Sequence, residues 1–196
     1  GEYAEYTAEK AGVSRQEQDE FAMQSHRKAV AAQEAGKFAA ELVPLEIAGK
    51  SGPTTIAFDE APRKDTSLES LARLKPAFRK VGTVTAGNAP GLNDGASALV
   101  VASLAFAKAH GLRPMARITG YATGGGEPRD VFFAPILAVQ NLMKKAGTTI
   151  GAYDLIEANE AFAVQALVDG RALGWDWARV NVHGGAVSIG HPLGCS

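Results

Sequence analysis

Near its C-terminal end the sequence reads VNVHGGAVSIGHPLGCS, a stretch that holds His183, His191 and the chain's single cysteine, Cys195. An imidazole titrates close to neutrality and can take or give a proton. A thiol beside such a base is a nucleophile. His191 precedes Pro192, which pushes it toward an extended backbone. Gly190 and Gly194 flank it, and glycines let a chain turn sharply and a substrate approach closely. Read alone, His191 is either a working base and donor or an ordinary solvated loop residue. His183 leaves a predicted strand and reads as a residue closing that turn. Four residues of loop between His191 and Cys195 do not set the geometry of a Cys–His pair, and a small buried thiol is the ordinary role of a lone cysteine.

A second stretch, LIEANEAFAVQAL, runs an apolar strand into Glu157, Asn159 and Glu160 and then into a predicted helix. Strand ends that feed helix N-termini are common places for α/β sites. Asn159 is equally suited to cap that helix, and Glu160 in a first turn suits the helix dipole without any further role. Asn159 and His191 lie 32 residues apart and both follow predicted strands, so they can meet at one sheet edge. His26, on a charged helix face, and His110, beside Gly111, read as structural. One cysteine and histidines without ligand spacing predict no metal site. TGGGEP lacks the lysine of a phosphate loop.

The elements that must position these residues are legible in outline. SRQEQDEFAMQSHRKAVAAQEAGKF predicts a long helix, opened by Ser14 with Glu17 three residues on and stopped at Gly36. ELVPLEI predicts an edge strand and TTIAF a weaker one, with polar chain around them. SLESLARLK predicts a short helix ending before Pro76. Extended segments are expected at TVTAG, ALVVA, MARIT, DLIE and RVNV. Helices are expected at LAFAKAH, FAPILAVQNLMKKA and AFAVQALVDGRAL, several ended by glycine. Strands alternating with helices argue for α/β layers.

With 196 residues and 46% apolar content the chain can bury a core. A net charge of −1 gives no global basic footprint for nucleic acid. No apolar run approaches the roughly 20 residues of a membrane span. A single cysteine fits a reducing, cytoplasmic setting. The chain opens GEYAEYTAEK, without Met or a signal-like segment, which predicts a piece of a longer protein.

Together the motifs resemble one family. NVHGGAVSIGHPLGCS resembles the second signature of the thiolases, the acetyl-CoA acetyltransferases and 3-ketoacyl-CoA thiolases. EANEAFA resembles their Asn-Glu-Ala-Phe motif, and GTVTAGNAPGLNDGASALVV the segment that closes their coenzyme A loop domain. SRQEQDEFAMQSHRKA and LKPAF match as well, so the likeness runs the length of the chain.

The resemblance implies an α/β fold of two βαβαβ halves in αβαβα layers, incomplete in this chain, with an inserted loop domain. It implies a loop domain at 1–92, the end of the N-terminal half at 93–112 and a truncated C-terminal half at 113–196. The implied chemistry is acyl transfer through a cysteine acyl-enzyme, in thiolysis or Claisen condensation, with both reactive cysteines outside this sequence. Cys195 falls on a non-nucleophilic position. By this likeness His191 helps activate the nucleophile and donates to the thioester oxygen, while Asn159 holds a water that supplies a second donor. Arg63 and Ser70 would touch the nucleotide end of coenzyme A. Leu74, Ala86 and Leu92 would line its groove, and Phe78 and Phe162 would wall the tunnel near the thioester. Coenzyme A enters as substrate, with no metal or redox cofactor. Partners would be acyl-CoA and further copies of the chain, as homodimer or homotetramer, with no nucleic acid or membrane.

Two departures from the short-chain pattern stand out. Pro90 replaces a pantetheine-contacting Ser, and VFFAPI replaces Met-Gly-x-Gly-Pro. Both argue against strict acetyl specificity. The rival reading is a thiolase-like acyl-CoA or lipid-binding protein without thiolysis; both cysteines in the complete sequence would argue against it.

Overall fold

A computed structural model describes residues 1–50 and 52–195. Two helices open the chain, α1 (Glu2–Ala11) and α2 (Arg15–Glu34). The expected capping box starts α2. Ser14 accepts from the Glu17 backbone N–H, and the Glu17 carboxylate accepts from the Ser14 N–H at 2.8 Å. Such reciprocal caps satisfy donors that a helix start leaves free. Gly36, at φ 67°, follows its end. The two predicted strands form an antiparallel hairpin of β1 (Leu45–Ile47) and β2 (Thr54–Ile56). Further along come α3 (Leu68–Ala72) and α4 (Leu104–Ala109). A 3₁₀ turn over Pro128–Phe133 leads into α5 (Ala134–Ala146), followed by α6 (Ala163–Leu173) and α7 (Ala186–Ile189). Gly12, Gly147 and Gly174 end their helices in the left-handed conformation that glycine adopts without a Cβ penalty.

Two cores join these pieces. Ala4, Ala8, Val13, Val84, Val164 and Val168 bury α1 and α6 against the 84–89 segment and the Phe132–Phe133 turn. Ala22, Met23, Leu71, Ala163 and Val187 bury α2 against α3, α6 and α7. Small residues at helical spacing on α1 and α2 permit that close approach. Arg15 fastens α3 to α2, donating from Nη2 to the Leu71 and Leu74 carbonyls at 2.6 and 3.0 Å.

Four expectations need correction. The segments at 81–86, 98–102 and 115–120 form no ladder among the described residues; the only sheet pairing beyond the hairpin is a parallel bridge of Ile156 with Val180 and another of Leu92 with His191. A strand is defined by its neighbour, and periodicity alone cannot supply one. Asn159 does not cap a helix: α6 starts at Ala163, after Phe162, with the Ala163 N–H donating to the Asn88 carbonyl at 3.0 Å. Glu160 therefore sits before the helix rather than in its first turn, and it is buried. His26 also departs from its expected charged face, since it is only 7% exposed.

Candidate active site

Two turns carry the site. The 157–162 turn leaves the extended residues at 155–156, and the 181–191 segment leaves Val180, its parallel neighbour. That pairing brings the turns together at one end. Asn159 Nδ2 lies 3.3 Å from His191 Nε2. Either Nε2 accepts from the amide, or the amide is turned over and its oxygen accepts from a protonated Nε2. The His191 backbone N–H donates to Asn93 Oδ1 at 3.2 Å, which ties the turn to the Leu92 bridge. Asn159 is exposed and His191 half-buried.

The glycines of the HGG run have separate physical reasons. Gly184 has φ 89°, and a Cβ there would stand 2.8 Å from the Ala29 backbone nitrogen. A Cβ on Gly185 would stand 2.1 Å from Glu160 Oε1, so its missing side chain is the space that the Glu160 carboxylate fills. Without that room the turn could not seat α7 on α2. His183 is exposed and packs edge-on against Phe38, with ring centroids 6.0 Å apart. Cys195 is free and half-buried.

Beside His191 a cavity of about 400 Å³ opens, with Gly190 and Asn93 in its wall. Arg63, Ser70, Leu74 and Ala86 line it too, four of the residues named from the sequence. Leu92 does not, being fully exposed on the bridge to His191. Phe78 and Phe162 stand outside this wall but touch each other edge-on, at 6.3 Å between centroids, and Phe132 meets Phe162 at 5.3 Å.

Buried polar groups shape the cavity wall. Asn88 Oδ1 accepts from the Thr85 N–H at 2.8 Å, and its Nδ2 donates to Asp19 Oδ1 at 2.8 Å. Glu5 accepts from the Thr83 and Val84 N–H groups at 2.8 and 3.0 Å. Together they hold the 83–88 turn that presents Ala86. His26 lines the cavity, and its Nδ1 accepts from the Arg63 N–H at 3.2 Å. Burial pushes the His26 imidazole below its usual range, with the Arg63 cation adding to the effect.

Sequence reasoning missed Asn88, Asn181, His26 and Phe132 as parts of the site and its supports. Only Asn181 carried a local signal, since an Asn at a strand exit tolerates left-handed backbone.

Known proteins bear on this geometry directly. Residues 1–105 match the model of the thiolase N-terminal domain, and residues 112–196 that of the thiolase C-terminal domain. The chain belongs to the thiolase family.

This thiolase chain is 53% identical to an acetyl-CoA acetyltransferase of Pseudomonas aeruginosa, over 98% of its own length and 49% of that relative. It is 51% identical to an acetyl-CoA acetyltransferase of Paracoccus denitrificans, over 100% of itself and 50% of the relative. The crystal structure of the Bacillus anthracis acetyl-CoA acetyltransferase superposes with TM-score 0.92 at 45% identity, covering 100% of this chain and 50% of that one. Human mitochondrial 3-ketoacyl-CoA thiolase gives 0.88 at 41% identity, covering 99% and 49%. The fold is thus the thiolase α/β fold over the length present, and the chain spans about half the length of these relatives. Among the described residues, no helix of this thiolase chain is long and apolar enough to cross a membrane.

Proposed function

We propose that the complete protein is an acyltransferase that cleaves 3-ketoacyl-CoA with coenzyme A, or joins two acyl-CoAs, through a cysteine acyl-enzyme. The observation that carries this reading is the 3.3 Å approach of Asn159 to His191 beside a cavity lined by Arg63, Ser70, Leu74 and Ala86. Acyl transfer from a thioester needs a base to make a thiolate and donors aimed at the developing oxyanion. His191 serves the first need and part of the second. Asn159 holds a water that completes the oxyanion site. Both reactive cysteines belong to parts of the enzyme outside this chain.

Coenzyme A lies with its nucleotide end toward Arg63 and Ser70, its pantetheine along Leu74 and Ala86, and its thioester toward Phe78 and Phe162. The chemistry calls on no metal or redox cofactor. Residues 1–92 act as the coenzyme A loop domain, 93–112 end the N-terminal half and 113–196 belong to the C-terminal half. The complete enzyme works in the cytoplasm as a homodimer or homotetramer.

Pro90 has neither a hydroxyl nor an N–H for pantetheine, and Phe132 adds an aromatic edge beside Phe162. Acceptance of chains longer than acetoacetyl is therefore expected. A thiolysis assay of the complete enzyme across acetoacetyl-CoA and longer 3-ketoacyl-CoAs tests both points. No cleavage of any chain length would refute the activity, and a strict four-carbon preference would refute the chain-length reading.

A further inference from the structure

The two site residues come from different turns, so something must fix the distance between those turns. We propose that Asn181 and Glu160 form a positioning clamp that sets the reach between Asn159 and His191. This rests on the reading of Asn159 and His191 given above.

Asn181 and Glu160 are buried, at 4% and 2% exposure. Asn181 Oδ1 accepts from the Ala158 N–H, and its Nδ2 donates to the Ala158 carbonyl, each at 2.8 Å. The same Nδ2 donates to Glu160 Oε1 at 2.8 Å. Both neighbours of Asn159 are therefore held by one amide. Glu160 Oε2 then accepts from the Val187 N–H at 3.0 Å and from Ser25 Oγ at 2.8 Å. The first of these bonds grips α7, which leads through Gly190 to His191. The second anchors the clamp on α2. A continuous path thus runs from the backbone beside Asn159 to the helix before His191, through the Asn181 and Glu160 side chains.

Backbone conformation points the same way. Asn181 is the only non-glycine residue at positive φ among the described residues, at 44°. Such a conformation is disfavoured for a side chain, and it persists where surrounding contacts over-determine it. Here three hydrogen bonds from one amide do so. Gly185 leaves the space that Glu160 occupies.

The clamp can be read apart from folding. Glu160→Gln keeps shape but turns one acceptor into a donor, which faces the Asn181 amide or the Val187 N–H. Asn181→Gly relieves the positive φ and removes all three bonds, so its effect on activity is separable from strain. In the complete enzyme both variants are expected to lower kcat of thiolysis about 10–100-fold, the scale of a small misplacement of reacting groups. KM for the acyl-CoA is expected within about threefold of wild type, because Arg63, Ser70, Leu74 and Ala86 make none of the clamp's hydrogen bonds, and Val187 is the one cavity residue that the clamp holds. Glu160→Asp, which keeps the acceptor pair on a shorter arm, is expected to recover part of the loss.

Unchanged kcat in a folded Asn181→Gly enzyme would overturn the clamp. So would a loss in which kcat and KM move together with Tm, or no difference between Asp and Gln at position 160. Asn159→Ala and His191→Ala run alongside. If these two leave kcat intact, the assignment of the site has failed. If they abolish it while the clamp variants do not, only the clamp has failed.

Discussion

At the residue scale, the two histidines of one glycine-rich stretch separate by what each one meets. His191 approaches Asn159 and the cavity rim, while His183 packs on Phe38. In the complete enzyme His191→Ala is expected to lower kcat by at least about 10²-fold, since a lost oxyanion donor costs about 10²–10³ and a lost base roughly 10²–10⁴. These losses need not multiply, because residues acting as a unit are non-additive. Asn159→Ala should cost less, as water can still occupy part of its place. His183→Ala should cost least. Stopped-flow measurement of acyl-enzyme formation ranks the three, and a larger defect for His183→Ala in equally folded proteins would exchange the roles of the histidines.

At the element scale, α6 carries a titratable group unrelated to the reaction. Asp169 is buried four residues after Gln165, whose amide donates to Asp169 Oδ2, and burial pushes its carboxyl up to about 7. A carboxyl raised above its unfolded value of 3.8 contributes stability that is full below about pH 4 and is lost as pH rises through about 7. His26 on α2 acts in the opposite sense. Its imidazole is held low, so its contribution is present above about pH 6.5 and is lost as pH falls through the folded value. Comparing wild type with Asp169→Asn removes the shared His26 effect. The stability advantage of wild type over the variant is expected to shrink between pH 5 and 8 in urea unfolding, by roughly a few kcal/mol. Parallel curves for the two proteins would show that Asp169 titrates as an ordinary exposed carboxyl.

At the scale of the whole molecule, much apolar surface is left open. Leu99, Val100 and Val101 are 89, 92 and 77% exposed, and Met115 and Ile118 join them at 104 and 69%. Their segments form no ladder among the described residues, and unpaired, apolar segments of strand-forming residues invite pairing with another chain. This chain alone is therefore expected to sediment well above its monomer mass of 20.4 kDa. It is also expected to show no CoA-dependent cleavage of acetoacetyl-CoA, since the nucleophile and its partner cysteine are assigned elsewhere. A clean monomer in analytical ultracentrifugation would contradict the first expectation. Measurable turnover by pure chain would contradict the second and reopen the role of Cys195.

Local chemistry was legible in the sequence. The Ser14–Glu17 capping box and the glycine stops after α5 and α6 depend on contacts a few residues apart, and they formed as their residue types require. The candidates His191 and Asn159, and the groove residues Arg63, Ser70, Leu74 and Ala86, were also named from motif alone. Tertiary structure decided the rest, because the deciding partners are distant in the chain. Asn159 suited a helix cap until the Asn88 carbonyl took that place from 75 residues away, and Glu160 read as a first-turn carboxylate facing the helix dipole until Ser25, Asn181 and Val187 closed around it. His26 looked like one more polar residue on a charged helix until the Arg63 segment folded over it. The apolar runs that predicted strands met no neighbour among the described residues, and a strand is completed by its neighbour. Sequence patterns record the face a residue prefers, whereas hydrogen-bond partners drawn from remote segments exist only once the chain has packed.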